Sequence, residues 1–142
     1  MKAISIQQPW AELIVRGIKD IENRTWTTTY RGPLAIHAGL KPRPSANLER
    51  WTEVMERRPA VRAILESDGK QFPRGGLVGV VDLVEVWEGH TSPWAVEDQF
   101  HWEFKSPRRC KFVPMKGNLG LWAVNREDVQ PLTPKINPMK GR

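Results

Sequence analysis

Gly17, Lys19, Glu22 and Arg24 set a lysine, a carboxylate and a guanidinium within seven residues of a glycine. Charged groups spaced this closely suit anion binding and, if the lysine is desolvated, proton transfer. In an extended stretch side chains alternate, so Asp20, Glu22 and Arg24 share one face while Ile21 and Asn23 take the other. Lys19 is expected as a mobile ammonium at the mouth of a cleft, either holding phosphate or acting as a base, with a solvated lysine as the plain alternative. Glu22 and Arg24 read either as ligand contacts or as a surface ion pair of the kind that contributes little. Trp10 and Trp26 flank the segment. Aromatic faces in such places stack on single-stranded bases; Trp10 also falls at helical spacing with Leu13 and Ile14, as a core residue does.

A second carboxylate, Asp82, interrupts the apolar set Val78, Val80, Val84 and Val86 on the longest strand signal, Leu77 to Glu88. A carboxylate on an apolar face must be paired, hydrogen-bonded or shifted in pKa. From the pattern alone it is expected hydrogen-bonded, with a raised pKa, or in a structural ion pair with Arg24 or Arg31; a register slip of one would bring Glu85 inward instead. Further cations fall at Lys41 and Arg43, at Lys105, Arg108, Arg109 and Lys111, and at Lys116. The middle group alternates with apolar residues, which makes either a cationic stripe for a phosphate backbone or a solvated strand face. His37 follows apolar strand residues and reads as a core histidine. A single cysteine, Cys110, and three scattered histidines offer no metal-ligand spacing, so neither metal nor cofactor is expected.

The elements that must position these groups come from one domain of ordinary globular composition, 142 residues with 39% apolar and 27% charged. The formal charge of +6 favours anionic partners, nucleic acid above all. No apolar run is long enough to span a bilayer, the N-terminus lacks the apolar core of a secretory signal, and one cysteine suits a reducing compartment, which together point to a cytoplasmic protein.

Ala3 to Ile6 reads as a strand; a helix opens at Gln8-Pro9-Trp10 and closes on Gly17 as a left-handed cap. Thr27 to Tyr30 suits a strand or hairpin, and Leu34 to Ala38 is an apolar strand. Ser45 caps a second helix carrying Leu48, Trp51, Val54 and Met55, broken by Pro59, and a further turn or two ends near Gly69. After Leu77 to Glu88 come a long connection from His90 to Gln99 and three short strands, Phe100 to Lys105, Arg109 to Val113 and Leu121 to Val124. The fold class is mixed α/β and mostly β, a small barrel with two or three helices inserted in the N-terminal half. Residues 1–125 form the domain, and 126–142 a loosely attached basic tail rich in proline.

Ile4-Ser5-Ile6-Gln7-Gln8-Pro9-Trp10-Ala11 and Gly17 to Trp26, then Tyr30 to Ala38, Gly76 to Val81, Trp102 and Lys116 to Trp122, resemble in order the blocks of the ASCH family within the PUA-like superfamily. The resemblance implies a PUA-like β-barrel and an RNA or nucleotide partner. It also implies an alternative, since relatives include an amidohydrolase acting on acetylcytidine and others described as ribonucleases. In the amidohydrolase branch, lysine and a threonine nucleophile come from Gly-x-Lys-x-x-Thr, with a carboxylate that falls in the region of Asp82. Here Lys19 keeps the lysine, but Glu22 stands where threonine would be. A carboxylate does not replace an alkoxide in acyl transfer, which leaves Lys19 with Asp82 or Glu22 for acid-base chemistry in a metal-independent hydrolase.

Overall fold

The computed structural model describes residues 1–41 and 48–132. Six strands make one mixed sheet: β1 (Lys2–Ile6), β2 (Ile21–Arg24), β3 (Gly32–Ala38), β4 (Gly76–Trp87), β5 (Phe100–Pro114) and β6 (Trp122–Ala123). Their order is β2-β5-β4-β3-β1-β6, with β1 and β3 parallel and every other pair antiparallel. Three helices fall in the N-terminal half: α1 (Trp10–Val15), α2 (Thr52–Arg57) and α3 (Pro59–Glu66). The mixed, mostly β composition and the early helices agree with the sequence pattern.

The expected barrel does not close. β2 and β6 remain edges, and no ladder joins them. Curvature nevertheless brings β2 back toward β1, four places away in the sheet, because the Arg24 Nη2 donates to the Ser5 carbonyl at 2.7 Å. The gap is filled by side chains: Ile4 and Ile6 of β1 share one buried cluster with Ile14 of α1 and with Trp102 and Phe104 of β5. Trp102 is fully buried, and burying an aromatic of this size contributes on the order of 2 kcal/mol. Leu13, Ile21, Trp51, Val61, Leu65 and Trp94 build a second cluster between α1, β2 and the helical layer.

Strict alternation fails along β4. Its pairing with β5 shifts register between Leu77 and Gly79, between Val80 and Asp82, and between Leu83 and Glu85. Such bulges let a strand change which residues face inward. Val78, Val81 and Leu83 consequently share one cluster and Leu77 and Val80 another. The two strands expected at Phe100 and Arg109 are one 15-residue strand, kinked where Ser106 adopts φ 51° before Pro107. Thr27 to Tyr30 form no strand. Their hydrogen bonds are local instead, with the Tyr30 amide donating to the Thr28 hydroxyl and the Tyr30 hydroxyl to the Pro33 carbonyl. The segment past Asn125 is held as far as Leu132: Val129 is buried, and the amides of Lys111 and Leu132 donate to Gln130 and Arg109 carbonyls. Ser45, the expected cap of the second helix, and Arg43 lie outside the described residues, as does the tail from 133 on.

α1 is clamped to the sheet by charge and by a missing side chain. Glu12, buried on α1, accepts from Arg16 at 2.6 Å and from Arg109 of β5 at 2.6 Å. At Gly79 of β4, a Cβ would lie 2.7 Å from the Arg108 carbonyl and 2.8 Å from a Val15 methyl. Gly79→Ala is therefore expected to lower stability by roughly 1–3 kcal/mol, seen as a lower urea midpoint with an unchanged slope. An unaltered midpoint would mean that α1 moves aside without cost.

Candidate functional site

Gly17 creates the turn from which the site begins. With φ of 76° it ends α1, and the Ile18 and Lys19 amides both donate to the Leu13 carbonyl, which sends the chain directly into β2. β2 then pairs with β5, Glu22 opposite Trp102 and Arg24 opposite Phe100. Alternation puts Glu22 and Arg24 on one side, as the sequence indicates. Asn23, on the other, donates from Nδ2 to the Trp94 carbonyl at 3.0 Å and accepts from the Val96 amide at 2.8 Å. This side chain fastens the His90 to Gln99 connection onto β2.

Lys19 differs from the expected mobile ammonium. It is 3% exposed, donates to the Ile21 carbonyl and to Glu22 Oε1 at 3.2 Å, and lies 5.7 Å from the centre of a Trp10 ring. Burial is the reason: a desolvated ammonium needs oxygen and π partners in place of water. Arg24 donates to Glu22 Oε2 from Nε at 3.1 Å and from Nη2 at 2.9 Å, while its Nη1 makes no hydrogen bond among the described residues. Two cations about one carboxylate leave a net charge of +1. Burial pushes the Glu22 carboxyl pKa up, but Lys19 and Arg24 outweigh it and hold it below the usual carboxylate value. Burial lowers the Lys19 pKa, and Glu22 offsets that only in part.

This triad borders a cleft of about 450 Å³, shared with Ser5, Ile6, Gln7, Trp10, Asn23 and Trp51. Trp10 packs at 5.6 Å from Trp51 and 6.3 Å from Trp94, and Trp51 at 5.2 Å from Trp94, so the two wall indoles are backed by a third that is buried behind them. Sequence reasoning missed Trp51 as a wall residue and Trp94 as its support. Trp51 reads as core on its helix, and Trp94 lies in an aperiodic loop with no signal beyond its residue type. Gln7 was missed as well.

The other expected site residues are elsewhere. Asp82 pairs with Arg108 at 3.0 Å rather than with Arg24 or Arg31, and it is not among the residues of the cleft. The bulges of β4 turn it partly to solvent, which removes the buried-carboxylate argument for acid-base chemistry; Glu85 pairs instead with Arg31 at 2.7 Å. Trp26 packs edge-on against Trp102 at 4.8 Å and accepts its indole N–H on the backbone carbonyl, away from the cleft wall. Arg109 is committed to Glu12. Lys41, Lys105, Lys111 and Lys116 are exposed and form no ion pair among the described residues. His37 is buried, its Nδ1 2.9 Å from the Ser5 hydroxyl and its Nε2 2.6 Å from the Met115 carbonyl. Among the described residues, no group of three or more His, Cys, Asp or Glu side chains is arranged to hold a metal, and no helix is long and apolar enough to cross a membrane.

Comparison with known proteins adds two findings. A model of the ASCH domain matches residues 4–114. Activating signal cointegrator 1 of Mus musculus is 34% identical over 135 residues, and that of Homo sapiens 34% over 134; each match covers 86% of this chain. The chain spans only 22% of the length of either relative.

The depressed carboxyls of Glu22 and Glu12 fix how stability varies with acid. A group whose folded pKa lies below its unfolded one gives stability that is present above the unfolded value, about 4.3 for Glu, and lost as pH falls through the folded value. Urea unfolding is thus expected to show a plateau from neutrality to about pH 5 and a decline below about pH 4. Glu22→Gln is expected to be about 3 kcal/mol less stable at pH 7, with a shallower acid decline, because Lys19 stays buried without its counter-charge. Parallel acid declines in the two proteins would contradict the depressed Glu22 carboxyl.

Proposed function

The chain belongs to the ASCH domain family, and from that premise we propose that its cleft binds a nucleotide or a short stretch of single-stranded RNA. The observation that carries this reading is the open Nη1 edge of Arg24, held in a buried cluster of net charge +1 beside an indole wall. A guanidinium already fixed on two sides loses little freedom when its third side takes a phosphate oxygen. Trp10 and Trp51 supply apolar aromatic surface next to that anion position, the pairing of contacts that single-stranded nucleic-acid sites use. Outside the cleft, Lys41, Lys105, Lys111 and Lys116 remain available to a longer phosphate backbone. The free, buried thiol of Cys110 fits a reducing, cytoplasmic setting.

A metal-independent hydrolase acting on RNA or on an acylated nucleoside draws less support. Lys19 is desolvated, but its Nζ is held by the Ile21 carbonyl and Glu22; position 22 is a glutamate where acyl transfer would call for threonine, and Asp82 stands with Arg108 outside the cleft.

Titration of intrinsic tryptophan fluorescence with a single-stranded RNA oligonucleotide tests the proposal. Arg24→Ala is expected to weaken binding about tenfold or more, in line with loss of a charged hydrogen bond, whereas Asp82→Asn leaves it unchanged. Affinity should fall as salt rises. Salt-independent binding, or full affinity in Arg24→Ala, would refute a phosphate site at Arg24.

A further inference from the structure

The polar groups of the cleft are nearly all consumed by the protein itself. Both Glu22 oxygens accept from Lys19 and Arg24, the Asn23 amide is spent on the backbone of residues 94 and 96, and the Ser5 hydroxyl bonds His37. Of the cleft side chains carried by β1, β2 and the turn after β1, two polar groups have no hydrogen-bond partner among the described residues: Arg24 Nη1 and the Gln7 side-chain amide.

Gln7 stands on a fixed stem. Its own carbonyl accepts from the Ala11 amide at 3.2 Å, opening α1, and the residue before it ends β1, where the Ile6 carbonyl accepts from Gly39 at 3.0 Å. The next residue, Gln8, is fully buried, donating to the Pro73 carbonyl at 2.9 Å and accepting from the Glu12 amide at 2.9 Å. The contrast between the neighbours separates their roles: Gln8 is structural, and Gln7 presents an unspent amide from a rigid junction.

Resting on the nucleotide reading above, we infer that the cleft receives one nucleotide carrying a single phosphate, with the phosphate on Arg24 and the hydrogen-bonding edge of the base on Gln7. The charge argues for one phosphate, since a net +1 comes closer to the one to two negative charges of a monophosphate than to the larger charge of a triphosphate. The volume argues for one nucleotide, as about 450 Å³ lies within the range of small-ligand sites and is too small for a helix. The amide argues for the base. A glutamine places a donor beside an acceptor and so meets the paired donor-acceptor edge of any base, whereas a glutamate at the same place would only accept and would favour the adjacent N1–H and N2–H donors of guanine.

The test is tryptophan-fluorescence titration of wild type, Gln7→Ala and Gln7→Glu with the four nucleoside 5′-monophosphates, with ATP, and with ribose 5-phosphate, which lacks a base. Gln7→Ala is expected to bind AMP and CMP about 3- to 10-fold more weakly while its affinity for ribose 5-phosphate stays put. Gln7→Glu should raise the affinity for GMP relative to AMP compared with wild type, and wild type should bind AMP at least as tightly as ATP. Equal weakening toward ribose 5-phosphate, an unchanged GMP-to-AMP ratio in Gln7→Glu, or tighter binding of ATP than AMP would overturn the inference. Wild type that binds single-stranded RNA but none of the monophosphates would also overturn it while leaving the nucleic-acid reading intact; wild type that binds neither would remove both.

Discussion

A buried carboxylate between two cations is the constraint on which this structure turns. Glu22 is nearly inaccessible, and taking a carboxylate, an ammonium and a guanidinium out of water together costs several kcal/mol per ion unless each oxygen and each N–H finds a partner. Geometry supplies those partners from three places. Gly17 turns the chain so that Lys19 folds back under β2, Trp10 offers its ring to the ammonium, and Arg24 spans to the Ser5 carbonyl. The arrangement explains why a short helix, a four-residue edge strand and the first strand of the fold meet at one point. Their packing and the charge cluster each require the other.

The same constraint redistributes the positive charge. A formal +6 invites the picture of a broad cationic face, yet much of it is internally matched. Arg16 and Arg109 answer Glu12, Arg108 answers Asp82, Arg31 answers Glu85, and Lys19 answers Glu22. Each such pair cancels a cation against an acid; what stays unpaired among the described residues is one guanidinium edge in the cleft and scattered exposed cations such as Arg50, Arg58, Lys105 and Lys111. Specific contact and long-range attraction are thereby assigned to different residues, the first to Arg24 and the second to side chains whose charge is screened over about 10 Å at 0.1 M salt.

Much of the local organisation was legible in the sequence, because period and punctuation carry it. The helix from Trp10 to its glycine cap, the strands β1, β3 and β4, the break at Pro59 and the close association of Lys19, Glu22 and Arg24 all follow from short-range patterning. Pairing across long separations was not legible. Asp82 finds Arg108 because bulges displace the β4 and β5 registers, and no single-strand pattern records how many residues a bulge inserts on its partner. Arg109 was counted with the surface cations because Glu12, 97 residues earlier, gives no sign of being buried when helical spacing is read alone. Trp94 comes to back the cleft wall because Asn23 holds its loop, a side-chain-to-backbone contact across 71 residues. Barrel closure is a property of the whole sheet, and the final strand proves only two residues long.

The unclosed seam has a mechanical meaning. Neighbouring strands in a ladder are held about 4.8 Å apart and can separate only by breaking a row of backbone hydrogen bonds. Between β2 and β1 there is no such row, only the guanidinium of Arg24 and the hydrophobic filling beneath it. The polar link across this seam is a single side chain, so it can alter while every strand keeps its register. A sheet built this way meets itself at an edge through side chains alone, and there a change of rotamer, not of fold, is the unit of adjustment.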